Sequence, residues 1–564
     1  MVKCDNPITF YKIMTRFIYE NKIMFTFYML LILLYPMQEI GVPHIIGILT
    51  KNIEQKKSIY MPLFLLIFIT IVIQLCYIIS AKIDLVMYPN FQKYIRNLTM
   101  DHVMNVANTN FEEIKGATII YHLQKLPLNL YSFIEDFRDI YIPQALVYVG
   151  TVIYFWFKDK TISIALILVL GIILFLSVYT IHTCHDISRH RDRLYNDLTE
   201  DTEDVITNLI SVLSSGKKED ENKRADKYME DYFDYSRKTL QCSQNVRYLI
   251  IPIVLLFFCW SLYRMYQDVI HNKMKSYVMI SLVLILLYVM KSMWVIMYNV
   301  KEQVFKWGSI MESIDLLNEC GTKKAESNKD DTKTLIIPSN SKNGFLIENV
   351  YYGYEGRPPI FKGLNLKIDS NKKTLLVGEI GSGKSTLLKL LLQYKLPIQG
   401  EIYYNGRPYS QITPSEIRTI IGYVPQTPIL FDRTLYENIT YASQREVSYD
   451  EIINLMHTFN LKSLLDKFPK GLDTPVGKGG SKLSGGQRQI IWILRVIFQN
   501  PEVVLLDEPT SALDEDTKVT VHKMLEYLIK DKTAIMVTHD KFLYKIADEV
   551  IELRKGQFYS KKKN

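Results

Sequence analysis

The stretch KTLLVGEIGSGKSTLLKLLL, residues 373–392, decides how this chain is read. An apolar, strand-like run ends at Gly378, a glycine-rich loop follows, and a helix-like run opens at Lys384. The loop fits G-x-x-x-x-G-K-[ST] from Gly378 through Ser385. Gly378, Gly381 and Gly383, with Glu379, Ile380 and Ser382 between them, let backbone N–H groups turn inward around phosphate oxygens. The helix start adds its positive dipole end. Lys384 is expected to neutralise β- and γ-phosphates and Ser385 to ligate Mg²⁺ through its hydroxyl, with Thr386 completing an ATP-binding set.

Two more strand ends carry chemistry. In VVLLDEPTSALD, 503–514, four apolar residues run into Asp507 and Glu508. A carboxylate at a strand tip suits a Mg²⁺ contact, and the next one is placed to polarise an attacking water. On an ordinary loop the pair would be a solvated acidic dipeptide; after a buried strand, in a chain with a phosphate loop, the catalytic reading is preferred. TAIMVTHD, 533–540, ends another apolar strand at His539, where it can hydrogen-bond a γ-phosphate and hold the glutamate and water.

These segments, with LSGGQ at 483–487, closely resemble an ATP-binding cassette of ABC transporters. The order matches throughout: Tyr354 before the core strands, GEIGSGKST, Gln426 in IGYVPQTPILFDRTLYENI, LSGGQRQ, LLDEPTSALD and His539. The resemblance implies that Tyr354 stacks on adenine, that Gln426 contacts Mg²⁺ or the water, and that Asp514 ends a loop crossing to a partner cassette. It also implies that Ser484, Gly485, Gly486 and Gln487 bind the γ-phosphate held by another cassette. One chain carries one of each half-site, so the expected unit is a dimer, a homodimer in the simplest case and a heterodimer otherwise. Three departures stand out. Lys478, in VGKGG, replaces the usual Glu, DEPT replaces DEAT, and Asp540 follows His539 where Arg is common. The first reverses a charge at the usual cassette–membrane contact. Pairing of Lys478 with Glu112 or Glu113 is the expected compensation.

The rest of the chain fits a membrane protein. At 564 residues it is too long for one core. Hydrophobic residues are 48% and charged residues 22%, ordinary averages that hide an uneven placement. A spanning helix needs about 20 mostly apolar residues. Six runs in the first 300 residues qualify: 23–47, 58–81, 140–157, 161–181, 248–268 and 276–300. They alternate between short connections (KNIEQKK, KDK, VIHNKMK) and two long ones, 82–139 and 182–247, of 58 and 66 residues. The long ones carry more basic residues and are placed in the cytosol. Their apolar residues recur at helical spacing, so they read as spans continuing into the cytosol, with reversals at Lys115-Gly116 and SSGKK, 214–218. Glu39 and Lys291 fall inside spans. Glu39 reads as a substrate or ion contact, or as a structural polar contact; Lys291 reads as snorkelling to headgroups, or as lining a cavity.

The resulting division is a lead-in over 1–22, a six-helix membrane domain of exporter type over 23–320, a polar linker over 321–343, and an α/β P-loop NTPase cassette over 344–564. The first span is too long for a cleavable signal peptide, and Lys3, Lys12, Arg16 and Lys22 precede it. Six cysteines show no paired spacing, so no disulfide framework is expected. His182, Cys184, His185 and His190 are read as a polar helix end in preference to a metal site. The net charge of +8 fits a membrane surface, and no nucleic-acid partner is expected. The reading that follows is an ATP-hydrolysing exporter or flippase driven by cassette dimerisation, with an ATP-gated channel or ATPase-linked sensor as the alternative. The substrate is not readable.

Overall fold

The computed structural model describes residues 8–106, 116–319 and 344–561, apart from 355, 380, 512, 555 and 556. They form two compact units, a helical one up to residue 319 and an α/β one from residue 344.

The helical unit opens with α1 (Phe10–Glu20), which is amphipathic and buries Ile13 and Phe17. The first apolar run is not one regular helix. It is α2 (Lys22–Ile32), a π turn (Met37–Gly41) and α3 (Val42–Glu54). Pro43 follows the turn and has no N–H to give the carbonyl four residues back, which belongs to Glu39. A π turn absorbs the mismatch by widening the ladder by one residue. The same arrangement recurs around Pro143, where α5 (Gly116–Asp136) passes through a π turn (Phe137–Tyr141) into α6 (Ile142–Trp156). Four long helices complete the unit: α4 (Tyr60–Val106), α7 (Lys160–Thr207), α9 (Lys218–Ile270) and α10 (Ser276–Glu319), with the short α8 (Leu209–Ser214) in the reversal after α7. At 1.5 Å per residue, the 48-residue α7 is roughly 72 Å long, more than twice a hydrocarbon core. The described parts of both long connections are helical, as expected; residues 107–115, with the expected reversal at Lys115, lie outside the described residues. Among the described residues, five helical stretches are long and apolar enough to cross a bilayer: 22–54, 60–104, 160–207, 218–270 and 276–318. The sixth expected span, 140–157, holds α6 of 15 residues, continued through its π turn from α5.

Several charges inside this unit are paired across helices. Arg264, the blemish in the fifth apolar run, donates to Asp159 at 2.8 Å, and Asp159 also caps the start of α7. Arg189 and Arg193 both reach Glu312 on α10. Glu39 is half-buried in the first π turn, and Lys291 is exposed on α10. One expectation is overturned. Cys184 on α7 and Cys242 on α9 form a disulfide, their Cα atoms 5.9 Å apart. The pair is 58 residues apart in sequence, a separation no spacing rule flags, and the antiparallel run of α7 against α9 brings it together. Around it, His182 stacks on His185 and His190 lies against Tyr235.

In the α/β unit, β1 (Phe345–Tyr352), β2 (Phe361–Ile368), β3 (Lys373–Gly378), β4 (Gln399–Tyr404), β5 (Arg407–Pro408) and β6 (Ile421–Val424) are followed by β7 (Val503–Asp507), β8 (Thr533–Val537), β9 (Glu549–Arg554) and β10 (Gln557–Lys561). An antiparallel sheet has the order β2-β1-β4-β5, and a second sheet the order β10-β9-β3-β8-β7-β6. In the second sheet β9, β3, β8, β7 and β6 run parallel. Buried on both faces, β7 and β8 read as continuous apolar runs without alternation.

Helices approach closely where glycine allows it. A Cβ on Gly308 of α10 would stand 2.5 Å from Ser188 Oγ and 2.6 Å from Ser188 Cβ on α7, whereas one on Gly171 of α7 meets nothing within 4 Å. Gly308→Leu is expected to destabilise the helical unit by about 1–3 kcal/mol through overpacking. Gly171→Leu should leave the thermal-unfolding midpoint of the solubilised chain unchanged or slightly raised.

Candidate functional site

The parallel register puts Leu375 opposite Met536 and Asp507 opposite Val537, so the ends of β3, β7 and β8 meet at one edge. Ligands bind at this carboxyl edge in such sheets. Gly378 has φ 153°, and a Cβ there would press on the Leu553 carbonyl at 2.5 Å. Gly383, with φ 107°, caps the helix Lys384–Leu391, and a Cβ would meet Ile360 at 2.6 Å. Only glycine fits either place. Ser382 Oγ is buried inside the loop with no hydrogen-bond partner, a donor for an oxygen-rich ligand. Lys384 Nζ donates to the Gly378 and Glu379 carbonyls at 2.8 and 2.9 Å, which curls the loop around it. Burial lowers the Lys384 ammonium pKa, and Glu508 and Asp507 oppose that shift. Thr386 is buried on the same helix, and Ile380 lies outside the described residues.

Ser385 Oγ donates to Asp507 Oδ1 at 3.2 Å, and the Tyr423 hydroxyl donates to Oδ2 at 3.4 Å. Burial raises the Asp507 carboxyl pKa against these two bonds. A hydroxyl and a carboxylate in contact are a hard-oxygen donor pair, which fits Mg²⁺. Glu508 has φ 49°, a left-handed conformation uncommon for a side-chain residue. Its N–H donates to Val537 O at 2.8 Å and its carbonyl accepts from Ser511, so the turn is pinned on both sides. His539 Nε2 lies 3.8 Å from Glu508 Oε1, with the imidazole largely exposed. Gln426 is exposed just past β6. Tyr354 is half-buried, its ring edge-on to Tyr352 at 5.5 Å.

LSGGQ forms the start of the helix Gly485–Gln499. Ser484 caps it and completes a capping box with Gln487: Gln487 N–H donates to Ser484 Oγ at 3.2 Å, and Ser484 N–H donates to Gln487 Oε1 at 2.8 Å. Ser484 and Gly485 are exposed, while Gly486 packs against Thr517. Asp514 caps the helix Glu515–Ile529 by accepting from Thr517 N–H. Lys478 is exposed on the preceding loop; Glu112 and Glu113, its expected partners, lie outside the described residues.

A P-loop, a strand-tip carboxylate pair and a capped glycine-rich helix start on one α/β unit, together with a unit of membrane-length helices, define a nucleotide-binding cassette fused to an integral membrane domain. Residues 361–511 match the family described as ABC transporter, and residues 22–293 match the ABC transporter transmembrane region, together well over half of the chain. The chain belongs to the ABC transporter family, with the exporter-type half-transporter arrangement of one membrane domain and one cassette. It is similar to a "Putative export ATP-binding/permease protein" of Rickettsia bellii, 25% identical over 82% of this chain and 79% of that one. It is also similar to "ABC transporter B family member 3" of Dictyostelium discoideum, 39% identical over 39% of this chain but only 16% of that protein's length. Its fold matches a bacterial Atm1-family ABC exporter solved with ATP bound, with a TM-score of 0.80 at 19% identity, covering 95% of this chain and 94% of that one.

Sequence reading singled out Asp540 only as a departure from the family pattern. The structure gives it partners. Thr510 Oγ1 donates to Asp540 Oδ2 at 2.8 Å, and His522 Nε2, its ring stacked on Phe542, lies 2.8 Å from the same oxygen. Asp540 thus ties the segment after His539 to the segment after Glu508. Burial works to raise its carboxyl pKa, but the bonds from His522, Thr510 and the Phe542 N–H outweigh it and hold the group below its ordinary range. A depressed carboxyl stabilises the fold above the unfolded-state pKa, and that stability is lost as pH falls through the folded value. Asp540→Asn is expected to lower the unfolding midpoint at neutral pH, with the gap from wild type closing as pH falls below about 4. ATP turnover should fall by roughly tenfold as the His539 and Glu508 segments loosen.

Proposed function

We propose that the chain is an ATP-hydrolysing exporter half-transporter that moves a substrate across a membrane by alternating access. The observation that carries this reading is the meeting of the P-loop, Asp507, Glu508 and His539 at one sheet edge of a chain whose other unit has membrane-length helices. Lys384 and the loop N–H groups bind the β- and γ-phosphates of ATP, and Tyr354 stacks on adenine. Ser385, Asp507 and Gln426 would hold Mg²⁺, which neutralises phosphate charge when bound. Glu508 accepts the proton of the water that attacks the γ-phosphorus, and His539 holds the carboxylate and the γ-phosphate in register.

The exposed start of the helix Gly485–Gln499 offers Ser484 and free N–H groups to a nucleotide other than the one on its own P-loop. A second half-transporter supplies it, an identical chain in the simplest assembly, with the cassettes in the cytosol. ATP binds better to the closed pair, and that differential affinity drives the membrane helices between their two arrangements.

Glu508→Gln should retain ATP binding while turnover drops by at least a hundredfold, measured as phosphate release. Ser484→Arg leaves the P-loop intact, so it should also bind ATP and fail to hydrolyse it. Normal turnover in either variant would sink the corresponding assignment.

A further inference from the structure

A second built site lies in the helical unit. A cavity of about 330 Å³ opens between α2, α4 and the second π turn. Its floor is charged. Arg138, only 5% exposed, forks onto two carboxylates: Nη1 and Nη2 to Asp84 at 2.5 and 3.2 Å, Nε and Nη2 to Asp139 at 2.8 Å each. The Tyr28 hydroxyl donates to Asp139 Oδ1 at 2.5 Å, and its ring face lies 4.4 Å from the guanidinium carbon. Arg138 is the one cation among the described lining residues, so two carboxylates face one positive charge. Both carboxylates remain about one-third exposed. The walls are different in kind. Tyr28, Tyr35 and Tyr77 contribute rings, and Leu31, Ile32 and Ile73 contribute aliphatic surface.

The position sharpens the chemistry. Asp84 and Asp139 lie just past the apolar runs 58–81 and 140–157, at the end where the long extensions emerge, whereas Ile73 and Tyr77 lie within a run. One end of the cavity is acidic and the other belongs to the hydrocarbon zone. An anion would find the guanidinium already engaged and a net negative floor. A neutral guest would leave the excess carboxylate uncompensated beside an apolar wall. A cation with an apolar body answers both ends, and aromatic faces add attraction.

We propose that this cavity binds bulky organic cations, with the charge against Asp84 and Asp139 and the body against the tyrosine rings and aliphatic wall. The proposal deepens the transport reading and rests on it for the guest to be cargo.

Cys76 lines the cavity, whereas Cys259, within the apolar run 248–268 of α9, does not. This pair permits a test on the wild-type chain in phosphatidylcholine nanodiscs without nucleotide. N-ethylmaleimide labelling of each cysteine is followed by peptide mass, with tetraphenylphosphonium or tetraphenylborate present. The two ions share size and shape and differ in sign of charge. Tetraphenylphosphonium should slow Cys76 labelling at least fivefold relative to Cys259, and tetraphenylborate should not. In Asp139→Asn the concentration giving half protection should rise at least tenfold. Tyr77→Leu, which leaves the charges in place, should raise it less. Equal protection by both ions, no protection, or a Cys76 that never labels would overturn the proposal. Turnover of the same preparation separates the two claims. Glu508-dependent hydrolysis without cation-selective protection removes the cation site alone; selective protection without such hydrolysis removes the transport reading and leaves the site.

Discussion

The parallel pairing of β3, β8 and β7 is the constraint on which the cassette depends. It brings a glycine with φ 153° to the same edge as a buried aspartate and a left-handed glutamate that lie more than a hundred residues further along the sequence. None of the three is favourable alone. Gly378 adds nothing to the apolar core, Asp507 holds a carboxylate in a buried strand end, and Glu508 occupies a sparsely populated backbone region. Each is held by a neighbour that the register supplies: the Leu553 carbonyl beside Gly378, Ser385 and Tyr423 on Asp507, and the Val537 carbonyl on the Glu508 N–H.

The helical unit follows the same logic with different means. Apolar surface is plentiful there, so the specific features are polar. Asp159 with Arg264, Glu312 with two arginines, and Arg138 with two aspartates each lock helices that are distant in sequence. Each pair has one buried partner, so the net stability is small, but breaking the pair leaves that charge buried without its counter-ion. Lys125 against Asp192 belongs to this set, and a buried hydrogen bond between His122 of α5 and Ser313 of α10 ties helices in the same way without charge.

The cassette was legible in the sequence as a family and a fold because its motifs are local. A P-loop, a strand-tip acid pair and a capped helix start are each written within a dozen residues. Spans were legible from hydropathy, and the helical nature of the extensions from periodicity. Features built across helices were not. Arg138 stands beside Asp139 in sequence, but nothing there shows that it also takes Asp84, 54 residues away. Cys184 and Cys242 carried no spacing signal. Asp540 appeared only as a deviation, since His522 and Thr510 reach it from 18 and 30 residues away. The breaks in the first and third spans had a signal, Pro43 and Pro143, which hydropathy averages over.

Those two breaks have a geometric result. Residues 37–43, MQEIGVP, and 137–143, FRDIYIP, place an acid four residues before the proline in each case. One extra residue in a turn rotates everything beyond it by about 100° relative to a continuous helix. A helical wheel drawn through either span therefore assigns the wrong face to half of it. Tyr28 and Leu31 of α2 line the cavity, and farther along the same span Gly47 of α3 meets α10. Each span is in effect two short helical surfaces with different phase, and one membrane-crossing segment can address a charged cavity at one depth and a close helix contact at another.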